Sequence, residues 1–154
     1  MTVSLWRIAT DTPTYEADDL SGTGAKVSGG RWNRKGNAVA YTSTNIALAC
    51  LETVVHLVND GLPLNRYLVQ IEIPDEVWDV RLTLKLTVGW DAEPAGKVSL
   101  DAGDEWLASG KSALLVVPSV IVPEETNVLI NPDHPDAKKI KATKIRKWLY
   151  DARI

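Results

Sequence analysis

One domain built from both strands and helices is what the sequence predicts, and three observations predict it. The chain has 154 residues, long enough for a single buried core. Strand-like patterns recur at Leu5 to Ala9, Tyr67 to Ile73 and Ala113 to Val117. Between the first two lies a segment with helical spacing, Asn45 to Asn59. The apolar fraction of 45% and charged fraction of 24% are those of an ordinary globular protein, although six Trp and no Phe mean that Trp carries the large aromatic packing.

Leu5 to Ala9 reads as a first strand, with Trp6 and Ile8 on one face and Arg7 on the other. Thr10 to Ser28 is rich in Thr, Asp, Gly and Ser without an apolar period, so it reads as loop, with one helical turn near Tyr15 to Leu20. Val39 to Thr42 reads as a strand after the turn Lys35, Gly36, Asn37. Ser43 or Thr44 supplies an N-cap for a helix from Asn45 to Asn59, stopped by Gly61 and Pro63. That helix is apolar on nearly every side and is expected to lie deep. Its polar residues Asn45, Glu52, His56 and Asn59, with small Ala49, share one stripe.

Tyr67 to Ile73 alternates as a strand ended by Pro74, and Val77 to Val80 and Leu82 to Val88 read as further short strands. Glu105 to Ser109 reads as a helical turn or two closed by Gly110, with Trp106 as a core anchor. Ala113 to Val117 suits a central strand, broken by Pro118, Ser119 and Pro123 and resumed at Asn127 to Ile130. The tail from Ala137 to Tyr150 fits either a helix or a strand.

Composition excludes several classes. No basic leader precedes an apolar run and no stretch spans a bilayer, so the expectation is a cytoplasmic protein without membrane contact. Cys50 stands alone, which removes an internal disulfide and a thiolate metal site. Net charge is −3, but residues 131–154 hold seven Lys/Arg against three Asp/Glu, leaving ten against seventeen in residues 1–130. An acidic body argues against a broad nucleic-acid surface. Gly22, Gly24, Gly29 and Gly30 match neither the dinucleotide fingerprint, because Val27 occupies a glycine position, nor a Walker loop, because Gly30 and Arg31 replace Lys and Ser/Thr. His56 and His134 are too few for a metal site, and Cys50 on an apolar helix face is no activated thiolate.

An ionised carboxylate on a largely apolar helix is costly unless it is paired or faces water. Glu52 therefore borders solvent or a cleft, and a narrow exposed face explains it as well as catalysis does. Arg31 as a surface charge in a glycine turn, Tyr41 as a strand residue at the core edge and Ser119 as a turn residue after Pro118 each have an equally plain structural reading.

Taken together, GGRWN at 29–33, AYTSTNIALACLE at 40–52, VPSVIVPEETNVLINPDHPD at 117–136 and the closing LYDARI resemble the RES-domain toxins over nearly the whole chain. The resemblance implies a single RES domain over residues 1–154. It also implies an α+β fold like that of the ADP-ribosyltransferases, with a mixed, mostly antiparallel sheet and flanking helices, and favours a strand for the tail. Carried over by motif, Arg31, Glu52 and Ser119 are the family's polar trio and Tyr41 its strand tyrosine. Gly30, Arg31, Trp32, Asn33 and Tyr41 are expected to touch substrate. Ala152 departs from a proline common in the closing motif.

The implied reaction is cleavage of NAD, as substrate and not cofactor, at the nicotinamide–ribose bond by a toxin that arrests growth. Hydrolysis or phosphorolysis would deplete NAD, and ADP-ribosylation of a protein is the alternative. The implied partner is an Xre-type helix-turn-helix antitoxin covering the active site, with a toxin homodimer as a further option and DNA reached only through the antitoxin. A ribonuclease-type toxin using Lys138, Lys139, Lys141, Lys144, Arg146 and Lys147, and a non-catalytic interaction domain, are the competing readings. Because nicotinamide leaves neutral, the bond needs no strong general acid, which fits one helix-borne Glu without the carboxylate pair of ordinary glycoside hydrolysis. In this scheme Glu52 stabilises the oxocarbenium-like ribose, Arg31 offers its planar fork to an oxygen, Tyr41 stacks on nicotinamide, and Ser119 binds the amide or orients Glu52.

Overall fold

The computed structural model describes residues 1–56 and 64–154. Seven strands among them form one sheet: β1 (Thr2–Thr10), β2 (Ala40–Ser43), β3 (Arg66–Pro74), β4 (Leu82–Thr83), β5 (Leu114–Pro118), β6 (Thr126–Ile130) and β7 (Lys141–Lys147). Their spatial order is β4-β5-β6-β2-β1-β3-β7. Only β4 and β5 run parallel, so the sheet is mixed and mostly antiparallel, as an α+β class requires.

Alternation explains the strongest pairing. Along β3, Val69, Ile71 and Ile73 are fully buried and join Leu5, Leu114, Val128 and Ile130 in the main core, while Leu68 points to the other face. β3 holds β1 in nine consecutive register pairs, Thr2↔Pro74 to Thr10↔Arg66. β1 and β2, by contrast, share the single pair Trp6↔Ser43. Continuing that register would set Ile8 opposite Tyr41, and no such pair forms. The sheet splits there, and the gap between the two strand edges becomes a cleft.

Four α-helices flank the sheet in the described residues: α1 (Thr23–Ser28), α2 (Ile46–Val54), α3 (Asp75–Trp78) and α4 (Lys97–Ser109). α2 packs Ala49, Ile46, Cys50 and Val54 on Ile8, Leu68 and Tyr150. α4 packs Trp106 and Ala102 on Leu115, Val117 and Leu129, with Trp32 and Val39 beside them. The two helices thus cover opposite halves of a divided sheet.

Several sequence expectations need correction. The cap of α2 is Asn45, whose side chain accepts from the Leu48 amide at 2.8 Å, and not Ser43 or Thr44. α2 is not deep: Leu48 and Ala49 are buried, but Leu51 is 41% and Val55 56% exposed, because one side of it lies on β1 and β3 and the other is open. Its expected continuation to Asn59 and the stop at Gly61 and Pro63 lie outside the described residues. Thr23–Ser28 is helical where loop was expected, whereas 15–20 holds only a turn with the Asp19 amide on the Glu16 carbonyl. Val77 to Val80 is not a strand, since Asp75 and Glu76 place acids at the first turn of a helix, where its dipole favours them. β4 is two residues long instead of seven. The tail forms β7 against β3, which settles strand over helix.

α4 begins eight residues before the expected helical turn because Ser99, Asp101, Gly103 and Asp104 dilute its apolar period. Gly103 has a reason to be there. A Cβ at this position would lie 1.7 Å from the Trp32 carbonyl oxygen, so glycine alone lets α4 approach the 29–33 segment. Replacing Gly103 with Ala is therefore expected to destabilise the fold by about 2–3 kcal/mol in denaturant titration, despite alanine's better helix propensity. A stability gain would contradict this packing.

Candidate active site

The cleft at the split has a volume of about 980 Å³ and is lined by Arg7 to Thr10 of β1, by Tyr41 to Ser43 of β2, by Glu52 and His56 of the α2 segment, and by Gly30 and Arg31. Arg31 and Glu52 thus open onto one shared space. Of the polar stripe read on α2, Ala49, Glu52 and His56 border it, while Asn45 caps the helix and Asn59 lies outside the described residues.

Glu52 is anchored by one oxygen. Its Oε1 accepts from the Ser119 hydroxyl at 2.7 Å and from the Asn127 side-chain amide at 2.8 Å. Among the described residues no donor reaches Oε2. Ser119 is fully buried in the turn after β5, and its Oγ also accepts from the Ile121 and Val122 amides at 3.1 and 3.2 Å. With two backbone donors on its lone pairs, the hydroxyl has its single proton left for Glu52. Ser119 is consequently an orienting group, placed behind the carboxylate and not on the cleft wall. Asn127 is held in turn by the Ser43 hydroxyl, 2.7 Å from its Oδ1.

Arg31 owes its direction to a buried turn. The Gly30 amide donates to the Asn33 carbonyl at 3.0 Å, and Asn33, fully buried, donates from Nδ2 to the carbonyls of Ala25 and Asn37. Tyr41 closes this turn: its hydroxyl donates to Asn33 Oδ1 at 2.5 Å and accepts from the Trp32 amide at 3.1 Å. Burial pushes the Tyr41 phenol well above its ordinary pKa. A side chain at Gly30 would collide with this hydroxyl, its Cβ only 2.7 Å away. Asp104 of α4 clamps the far side, accepting from the Arg34 amide and guanidinium and from Asn37.

Two of the expected substrate contacts change character. Asn33 does not line the cleft, and its amide is spent inside the turn. Trp32 does line the cleft but is 3% exposed, stacked on Trp90 with ring centroids 6.4 Å apart. The Arg31 guanidinium reaches the wall but is engaged there, donating to the Ala92 carbonyl at 2.6 Å, the Trp90 carbonyl at 3.3 Å and the exposed Glu93 carboxylate at 2.7 Å.

Sequence reading passed over Arg7, Asn127 and Ser43. Arg7 lines the cleft as a guanidinium without a hydrogen-bonded partner among the described residues. Burial lowers its pKa while Asp19 and Tyr15 oppose that shift, and an arginine so placed stays cationic. Arg66 also lines the cleft, with a buried, unpartnered Nε. Arg7 lies on the face of β1 that also carries the buried Leu5 and Ala9, and a lone cation between two core positions is the signal that could have found it. Among the described residues no cluster of His, Cys, Asp and Glu is arranged for a metal ion.

The family model for the RES domain matches residues 4–152. The chain belongs to the RES domain family. A curated relative from a Sphingobium strain, named Prs ADP-ribosylating toxin, is 67% identical over the whole chain and 98% of its own length. Proteins named Toxin Res from Yersinia enterocolitica and Pseudomonas putida are 42% and 38% identical, covering 78% and 97% of this chain and 79% and 98% of their own. The resemblance read from the RES motifs is thus borne out, and so is the α+β fold it implied.

In this RES domain, Tyr41→Phe would leave the Trp32 amide and Asn33 Oδ1 buried without their partner. A destabilisation of about 1–3 kcal/mol is expected from the shift in denaturant midpoint. An unchanged midpoint would show that the turn does not depend on that hydroxyl.

Proposed function

We propose that this chain is a toxin that cleaves NAD at the nicotinamide–ribose bond and transfers the ADP-ribosyl group to a protein. The observation that carries the reading is the half-occupied carboxylate: Glu52 is held through Oε1 and presents Oε2 to a cleft that also holds Arg7, Arg31 and Arg66. A volume of about 980 Å³ is ample for a dinucleotide. The splayed sheet and the helix-borne Glu suit the ADP-ribosyltransferase-like core that the family implies. The name of the Sphingobium relative supports a protein as acceptor.

The chemistry follows from charge. As the glycosidic bond breaks, positive charge moves onto the ribose and nicotinamide departs neutral, so a fixed anion is required and a proton donor is not. Oε2 of Glu52 accepts from a ribose hydroxyl and faces the developing cation, while the two donors on Oε1 prevent rotation. Arg7 supplies a cation for the pyrophosphate, a more available one than Arg31, whose fork already holds Glu93. Arg31 then shapes the wall and receives substrate oxygen only as Glu93 yields.

An Xre-type antitoxin covering this cleft is part of the proposal. Val55 and His56 line the cleft, and the exposed Leu51 and Val55 offer apolar area next to it for a partner to bury.

Purified Glu52→Gln is expected to keep the wild-type melting temperature and to release nicotinamide from NAD about 10²–10³-fold more slowly. Arg7→Ala is expected to raise the KM for NAD about 10- to 100-fold, the worth of one charged contact. Nicotinamide release at the wild-type rate by Glu52→Gln would overturn the reading. Supplying wild-type protein with NAD plus a cell extract, or with phosphate or water alone, identifies the acceptor from the product.

A further inference from the structure

Ser43 and Asn127 are direct partners in the β2–β6 register, so their side chains stand together on one face of the sheet. The Ser43 hydroxyl lies 2.7 Å from Asn127 Oδ1, and Asn127 Nδ2 lies 2.8 Å from Glu52 Oε1. Only one orientation of the amide satisfies all three groups. Turned over, it would set Oδ1 against Oε1, two acceptors at hydrogen-bond distance with no proton between them. The acceptor-only carboxylate therefore fixes the amide's direction, and the Ser43 hydroxyl, which can donate or accept, completes it by donating to Oδ1.

We propose that Asn127 is a positioning residue for Glu52, delivering a directed proton to Oε1 so that Oε2 is the oxygen left for substrate. Its importance comes from where it stands. Asn127 sits on β6, in the half of the sheet opposite to that carrying α2, so its bond to Glu52 crosses the split. Ser119, the other donor, lies in a turn, whereas Asn127 lies on a paired strand. The other charged groups nearby do not substitute for it. His56 sits one turn further along the helix segment, Glu125 is bonded to Asn45, and Arg7, Arg31 and Arg66 stand elsewhere along the cleft. None of them contacts Oε1 among the described residues.

An isosteric change gives a test that a merely structural role would not pass. In Asn127→Asp the second oxygen replaces the amide nitrogen. With both groups ionised, two carboxylates face each other and Glu52 is pushed out of position. When the pair holds one proton, the introduced carboxyl donates to Oε1 and the native geometry returns, with Ser43 still on the other oxygen. The donor exists only while that proton is retained, so it is present at acidic pH and lost as pH rises.

The kinetic readout rests on the proposed NAD cleavage; a second readout does not. Asn127→Ala is expected to lower kcat for nicotinamide release about 10- to 100-fold across the pH range. Asn127→Asp is expected to match that loss at pH 8 and recover toward wild type as pH falls, a recovery that Asn127→Ala does not show. Equal activity of the two variants at every pH, or wild-type kcat at pH 8 in either, would overturn the inference. Independently of any activity, the Asn127 side-chain amide protons in NMR spectra of the wild-type protein are expected to shift in Glu52→Gln. Unmoved resonances would overturn the inference. A wild type that moves no ADP-ribose while those resonances do move would instead count against the functional reading alone.

Discussion

One carboxylate oxygen joins the two halves of this molecule. Glu52 rides on α2, which packs on β1 and β3, yet its Oε1 is bound by Ser119 after β5 and Asn127 on β6. Between those halves the sheet has a single register pair, Trp6↔Ser43. The bond that orients the acid therefore also spans the place where the sheet opens. Charge-assisted hydrogen bonds are about twice as strong as neutral ones, which suits them to this duty in a partly buried site.

The arginine side of the cleft is built on a different principle. The 29–33 segment is a tight turn whose interior is filled by Asn33 and closed by Tyr41, with Trp32 pinned under Trp90 and α4. Residues that motif reading assigns to substrate are, in part, the frame of that turn. Arg31 projects from a rigid base, and its contacts with the Trp90 to Glu93 segment hold it against the wall. Arg7, by contrast, comes from the middle of the longest strand pair and has no hydrogen-bonded partner among the described residues.

Much of this was legible in the sequence where local pattern and tertiary need agreed. The alternation of β3, the apolar run of β5, the Glu52 stripe and the family motifs all gave the right elements, and Arg31 and Glu52 do share a cleft. Legibility failed where long-range contacts override local signal. α4 is hidden because its polar residues serve the 29–37 segment through Asp104 and Gly103, contacts that no local period encodes. Asn45 outcompetes the neighbouring hydroxyls as cap because Thr44 donates to the Thr126 carbonyl and Ser43 to Asn127. Asn127 itself looked like one more strand residue, since its meaning lies in the register with Ser43 and not in its neighbours along the chain.

The account stands on NAD lying across the split with its reacting ribose at Glu52. A crystal structure of Glu52→Gln soaked with NAD measures this directly. The account places the nicotinamide ribose hydroxyls within about 3.2 Å of the residue 52 side chain and the pyrophosphate against Arg7. A dinucleotide bound elsewhere, or with its nicotinamide ribose turned away from residue 52, would contradict it.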